Sequence, residues 1–297
     1  MKRTVLILTS TLLTGPLLNA APMAPNDPSV SGNLLLWLTD ATANYSGGTW
    51  TDSSLSNDVS NSTVGSGYGG GSSLNASIDY NGITRSAVTI ANDGLMGASN
   101  INGAGSFSEI TIISLYRVSS TGPEIRPVGI GSKTFEGVTG VNFDRLNLAT
   151  DPTNTTIRHD DGRTDGTYSH GTDVVLRVTR LNAGLITDQF YDTGTGTLVD
   201  SMTSALNGSG STNGTSGVTF STRTADFYIG ELGTLVGGTD SATATTDILE
   251  VAVYGTALTN TQVEDISDYI ATIPEPSTLV LTGIMLGTLA FFRRRRS

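Results

Sequence analysis

The sequence predicts an all-β sandwich with one short helix near the domain end, followed by a single membrane-spanning helix at the C-terminus. Three observations predict it. Ser, Thr and Gly supply 113 of the 297 residues while only 14% are charged, a bias toward strands and turns and away from helix bundles. Between residues 31 and 272, short apolar runs alternate with clusters of Gly, Asn, Asp and Ser, the spacing of a sandwich. The final apolar stretch, residues 278–292, carries no charge and stops at four consecutive arginines. The chain has no cysteine, which excludes disulfides, thiolate metal sites and a cysteine nucleophile, so packing alone must hold the fold.

The chain opens on Lys2 and Arg3, an apolar run from Val5 to Leu18, and the small residues Ala20 and Ala21. That order reads as a secretory signal peptide over residues 1–21, cut near Ala20 or Ala21. Gly15-Pro16 interrupts the run and Pro22, Pro25 and Pro28 follow it, which argues against a core helix.

The exported domain is expected over residues 31–272. Glu109 to Val118 is apolar on both faces, through Ile110 and Ile112 on one side and Ile113 and Leu115 on the other, and so reads as a central strand. Asp173 to Leu181 alternates, with Val174, Leu176 and Val178 on one face and Val175, Arg177 and Thr179 on the other, which predicts one buried and one partly wet face. The Gly-rich stretches 65–71 and 207–211 read as loops, and Thr193, Thr195 and Thr197 as one short threonine array. Asp247 to Tyr254 reads as a strand that turns into a helix from Thr259 to Ile270. Thr259 and Gln262 have the capping-box spacing there, and Val263, Ile266 and Ile270 form the buried stripe.

Residues 273–297 form the tail. As a helix, the uncharged stretch Thr278 to Phe292 is about 22 Å long, short of a hydrocarbon core of about 30 Å, so residues from Ile273 must help it span. Arg293, Arg294, Arg295 and Arg296 are costly to translocate and favour anionic cytoplasmic lipid. They keep the C-terminus inside and leave the domain outside.

Immediately before that helix stand Pro274, Glu275 and Pro276. The order Pro-Glu-Pro, short apolar helix, arginine cluster, chain end resembles the PEP-CTERM sorting signal of Gram-negative bacteria that produce extracellular polysaccharide. The resemblance implies a temporary inner-membrane anchor, processed near the Pro-Glu-Pro by the membrane peptidase exosortase, and a final place at the cell surface or in the extracellular matrix. The segment EVAVYGTALTNTQVEDISDYI, residues 250–270, resembles the closing strand and helix of LamG-like domains of the concanavalin A-like jelly-roll superfamily. Leu34 to Asp40 followed by Trp50-Thr51-Asp52-Ser53 is similar to their opening, and Phe107 to Tyr116 to a central strand, although Ser54 stands where such domains usually carry Gly. This resemblance implies a concanavalin A-like jelly roll over most of residues 31–272.

The net charge is −11, and six of the 16 basic residues are at the chain ends, leaving 10 against 27 acidic ones elsewhere. Nucleic acid is repelled by such a surface, whereas calcium, a basic partner or a neutral polysaccharide is compatible with it. Glycosidases on this type of fold pair two carboxylates on one strand face, roughly 5 Å apart in retaining enzymes. Glu250 has Ile248 and Ala252 as alternate neighbours and no second carboxylate among them, so it reads as a sheet-edge or structural residue. His159 and His170 sit in a turn-rich polar stretch and read as loop histidines, and neither follows a Gln in the lyase pattern. Asp160, Asp161 and Asp165 gather hard oxygen ligands of the kind calcium takes, though Asp-Gly pairs are equally plain turn formers. Tyr45, Trp50, Tyr68 and Tyr80 are the candidate aromatic platforms for a sugar, with Trp50 equally able to fill the sandwich, and Trp37 reads as core. The expected function is that of an exported, noncatalytic module binding carbohydrate or matrix. Its alternatives are a divergent glycoside hydrolase or polysaccharide lyase, and a purely structural surface protein.

Overall fold

Strands dominate the described chain, in keeping with its content of β-branched residues and hydroxyls. The computed structural model describes residues 22–54, 58–61, 71–90, 95–98, 101, 109–118, 125–131, 145–151, 156–159, 163–167, 173–182, 185–205, 227–230 and 245–272. In chain order the elements are β1 (Leu34–Leu38), α1 (Ala41–Asn44), β2 (Tyr45–Ser46), β3 (Thr49–Trp50), β4 (Val59–Asn61), β5 (Ser72–Tyr80), β6 (Ile83–Ile90), β7 (Leu95–Ala98) and β8 (Ile110–Val118). They continue as β9 (Ile125–Gly131), β10 (Arg145–Asp151), β11 (Thr156–His159), β12 (Arg163–Thr167), β13 (Val174–Asn182), β14 (Leu185–Tyr191), β15 (Leu198–Ala205), β16 (Phe227–Gly230), β17 (Thr246–Tyr254) and α2 (Asn260–Thr272).

Two antiparallel sheets result. The first runs β15-β14-β13-β8-β17-β6-β5 with β1 added on β17, and the second runs β12-β11-β10-β9-β16-β7-β4-β3-β2. Between them lies the main core. Leu36, Leu38, Val88, Ile112, Tyr116, Val175, Phe190, Val251 and Val253 from the first sheet meet Trp50, Met96, Val128, Phe227 and Ile229 from the second.

The first sheet also buries its other face. There Trp37, Ile113, Leu115, Leu176, Val178, Ala252 and Tyr254 pack under Val263, Ile266 and Ile270 of α2. This second layer explains why β8 is apolar on both sides. The partly wet face expected of Asp173 to Leu181 is overturned on the inter-sheet side, where Arg177 and Thr179 are completely buried. The helix begins as its sequence predicts. The Gln262 carboxamide accepts from Thr259 N at 3.0 Å, and the Thr259 hydroxyl accepts from Gln262 N at 3.3 Å. Thr259→Ala removes one half of that reciprocal cap and is expected to cost about 1 kcal/mol, measurable as a lower urea midpoint at unchanged m.

Strand β17 has three neighbours. It pairs with β8 along its length, while its other edge is shared, first by β6 at Thr246–Ile248 and then by β1 at Val251–Tyr254. Past the switch the β5–β6 hairpin leaves β17 and brings Ile78, Tyr80 and Ile83 into the α2 layer. At its tip Asn81 Nδ2 donates to Thr193 Oγ1, 2.7 Å away in the β14–β15 turn.

That turn holds the predicted threonine array, which is a capped turn and not a row on a strand. The Asp192 carboxylate accepts from Thr195 N and its hydroxyl, both at 2.8 Å, and the Thr195 hydroxyl bonds onward to Thr197. These bonds, the Thr195 hydroxyl first, hold the Asp192 carboxyl below its ordinary value against the opposing effect of burial. Gly196, at φ +66°, lies against α2, where a Cβ would come within 2.8 Å of Asp268 Oδ1. On the other side Met23 N donates to Asp265 O of α2 at 3.0 Å, the Tyr254 hydroxyl donates to Pro25 O at 2.9 Å, and Val30 is buried. The packed structure therefore takes in chain upstream of Ser31.

Candidate functional site

Glu250 occupies the interval where β17 changes neighbour. A register shift between Ile248 and Glu250 marks a bulge there, which turns Ile248 into the main core and Leu249 toward the α2 layer. Glu250 Oε1 accepts from the Trp37 indole of β1 at 2.8 Å, and Oε2 is bound by the Arg85 guanidinium of β6. One carboxylate thus ties together the two strands that share an edge of β17, with Arg85 and Glu250 only 2% and 1% exposed. Of the sheet-edge and structural readings of Glu250, the central, bonded position corrects the first and fits the second. The hydroxyl of Tyr269 on α2 is pushed up mainly by burial and further by Glu250, with Arg85 opposing.

The bulge has a second effect. It places Asp247 on the face that carries Glu250, opposite Arg117, which shares a side of β8 with Leu115. Simple alternation hid this second carboxylate. Arg117 donates to Asp247 Oδ2 through Nε at 3.1 Å and Nη2 at 2.6 Å, and the Thr89 hydroxyl donates to Oδ1 at 2.5 Å. Arg117, at 31% exposure, carries this pair to the surface.

A third ion pair lies between the sheets. Arg177 Nε donates to Asp188 Oδ1 at 2.9 Å, the Thr179 hydroxyl donates to the same oxygen, and the guanidinium sits 5.8 Å from the Phe190 ring centroid. Burial works against the Arg177 charge, but the negative charge of Asp188, with Tyr116 adding to it, outweighs burial and holds the group above its ordinary value. Each of these three buried carboxylates is bound by an arginine, an arrangement that fixes strands and leaves none as an unpaired acid or base.

The residues nominated by sequence are scattered. Trp50 is completely buried, its indole donating to Thr39 O at 3.2 Å, and Tyr80 lies in the α2 layer at 8% exposure, so neither presents a ring to a sugar. Tyr45 is half-buried against the main core, with its hydroxyl 2.8 Å from Ser72 Oγ. Tyr68, Asp160, Asp161, His170 and the loops 65–70 and 207–211 lie outside the described residues. Asp165 falls within strand β12 and His159 ends strand β11, so strands replace part of the expected loop. Among the described residues, no group of three or more His, Asp or Glu is placed to hold a metal. The predicted signal peptide and span 278–292 are also outside them, and among the described residues no helix is long and apolar enough to cross a membrane.

Helix α2 ends at Thr272, and the tail follows it in the sequence. Residues 272–296 match the PEP-CTERM protein-sorting motif. The chain carries a PEP-CTERM sorting signal. That signal includes Pro274, Glu275, Pro276 and the arginines from Arg293 to Arg296, and it implies export, recognition by exosortase and membrane-anchored sorting before cleavage. No curated protein matches this chain significantly.

Solved structures share the fold. A Trypanosoma rangeli sialidase mutant displaying trans-sialidase activity matches with a TM-score of 0.53 at 13% identity, over 86% of this chain and 37% of its own. The Trypanosoma rangeli sialidase in complex with 2,3-difluorosialic acid gives 0.51 at 13%, over 82% and 34%. An arabinofuranosidase complexed with arabinofuranosyl-α-1,2-xylobiose gives 0.50 at 11%, over 75% and 50%. This chain therefore spans about a third of the sialidases' length, and the likeness is one of β-sandwich architecture.

The ion pairs were missed by sequence reasoning, though a signal for them exists. Arg177 within VVLRVTRL and Asp188 within LITDQFY interrupt apolar strands, and a charge there requires a partner on the neighbouring strand.

Proposed function

We propose that this is a surface-sorted, noncatalytic module of the LamG-like type that binds neutral extracellular polysaccharide after exosortase removes its tail. The observation that carries this reading is the pairing of three buried carboxylates. Glu250, Asp247 and Asp188 are each bound to an arginine, which suits a rigid scaffold better than proton transfer. The LamG-like assignment is supported by adjacency, since the opening, central and closing segments that resemble such domains form β1, β8, β17 and α2, with β1 and β8 on either side of β17.

The test uses protein processed and released by the producing cell. It is mixed with that cell's purified extracellular polysaccharide, and both retention of protein and appearance of new reducing or unsaturated sugar ends are followed. Retention without new ends is the expected result. Steady release of ends would replace this reading with a glycan-cleaving one, for which the placement of Asp247 and Glu250 on one face is the favouring observation. Neither retention nor release would leave a structural coat protein.

A further inference from the structure

We infer that docking of α2 onto the folded domain restrains removal of the sorting tail, so that processing proceeds through local release of the helix's last turn. This rests on the reading that the tail is processed near the Pro-Glu-Pro. The packed helix and the sorting motif meet at one residue: α2 runs to Thr272, and the motif match begins at that position. Pro274 lies two residues on and so, even fully extended, within about 7 Å of the helix end.

The helix is held along its length. Ile266, Ile270 and Ala271 are completely buried in the layer on the first sheet. Asp265 O accepts from Met23 N, and Asp268 packs against Gly196 of the β14–β15 turn, itself hydrogen-bonded through Thr193 to Asn81 of the β5–β6 hairpin. At the last turn the Thr272 hydroxyl donates to Asp268 O at 2.6 Å, adding a side-chain bond across that turn. A peptidase acting on a folded substrate works on its locally opened form, so cleavage follows the population of that form when opening and closing are fast. Opening the last turn exposes Ile270, and burial of one such side chain corresponds to a factor of about ten or more in the open population.

The experiment follows the full-length chain in its producing cell by pulse-chase, reading the mass shift that marks tail loss. Three variants are compared with wild type: a ten-residue Gly-Ser spacer inserted between Thr272 and Ile273, Ile270→Ala, and Glu275→Ala as a control on the motif. The spacer moves the Pro-Glu-Pro away from the domain and leaves α2 intact. Tail loss is expected to be about tenfold faster with the spacer, and faster with Ile270→Ala to the extent that the last turn is loosened. Equal rates for wild type and the spacer variant overturn the inference while leaving the processing reading in place. A tail retained in every variant overturns that reading, and the inference with it.

Discussion

Glu250→Ala is expected to destabilise the domain by about 3–5 kcal/mol, because it leaves the Arg85 guanidinium buried without its carboxylate and frees the Trp37 indole at the same time. For a domain of this size that corresponds to a fall in Tm of about 10 °C or more. The loss follows from position: Glu250 fills the place where β1 replaces β6 beside β17, so its removal weakens both pairings. The double variant Arg85→Met with Glu250→Leu removes both charges and is expected to recover most of the stability, as replacing a buried ion pair by apolar groups often does. Thermal and urea unfolding of the four proteins in the cycle measure the coupling. A loss below about 1 kcal/mol for Glu250→Ala would show that water reaches Arg85 and that the pair is not a buried one.

Arg177→Ala is the second large effect, again about 3–5 kcal/mol. It removes the partner of Asp188 and opens a void beside Phe190 in the main core. Arg177→Lys is expected to restore only part of this, since a lysine has no planar guanidinium with an Nε–H to reach Asp188 Oδ1. Removing Arg177 and Asp188 together, as Met and Leu, is expected to be milder than either single change. If the double variant proved as unstable as Arg177→Ala, the lost hydrogen bonds of the pair and not the stranded charge would be the cause.

What the sequence made legible divides along physical lines. The strands β8 and β17 and the helix α2 were readable because they are apolar on both faces or carry a cap at a fixed spacing, signals that depend only on near neighbours. The burial of both faces of β13 was partly hidden. Arg177 occupies an alternating position that elsewhere points to water, and its partner on β14, eleven positions away, helps make burial tolerable. The bulge in β17 defeated the period-two reading at the place where it mattered, moving Asp247 onto the face of Glu250 and Ile248 off it. Trp50, in a two-residue strand, offered no periodicity from which to choose between core and surface, and the structure buries it. The strap from Pro22 to Val30 consists largely of prolines and turn formers, which gave no sign that its carbonyl and amide groups meet Tyr254 and α2.

The position of β17 bears on how the molecule is made. It lies in the middle of the first sheet yet is the last strand to be synthesised, so β1, β6 and β8 lack a common neighbour until nearly the whole domain has crossed the bilayer. Such a chain must wait in an open form on the far side, its apolar edges exposed to chaperones and to one another. Assembly is completed only when β17 arrives, which gives a protein without cysteines a late, single act of closure.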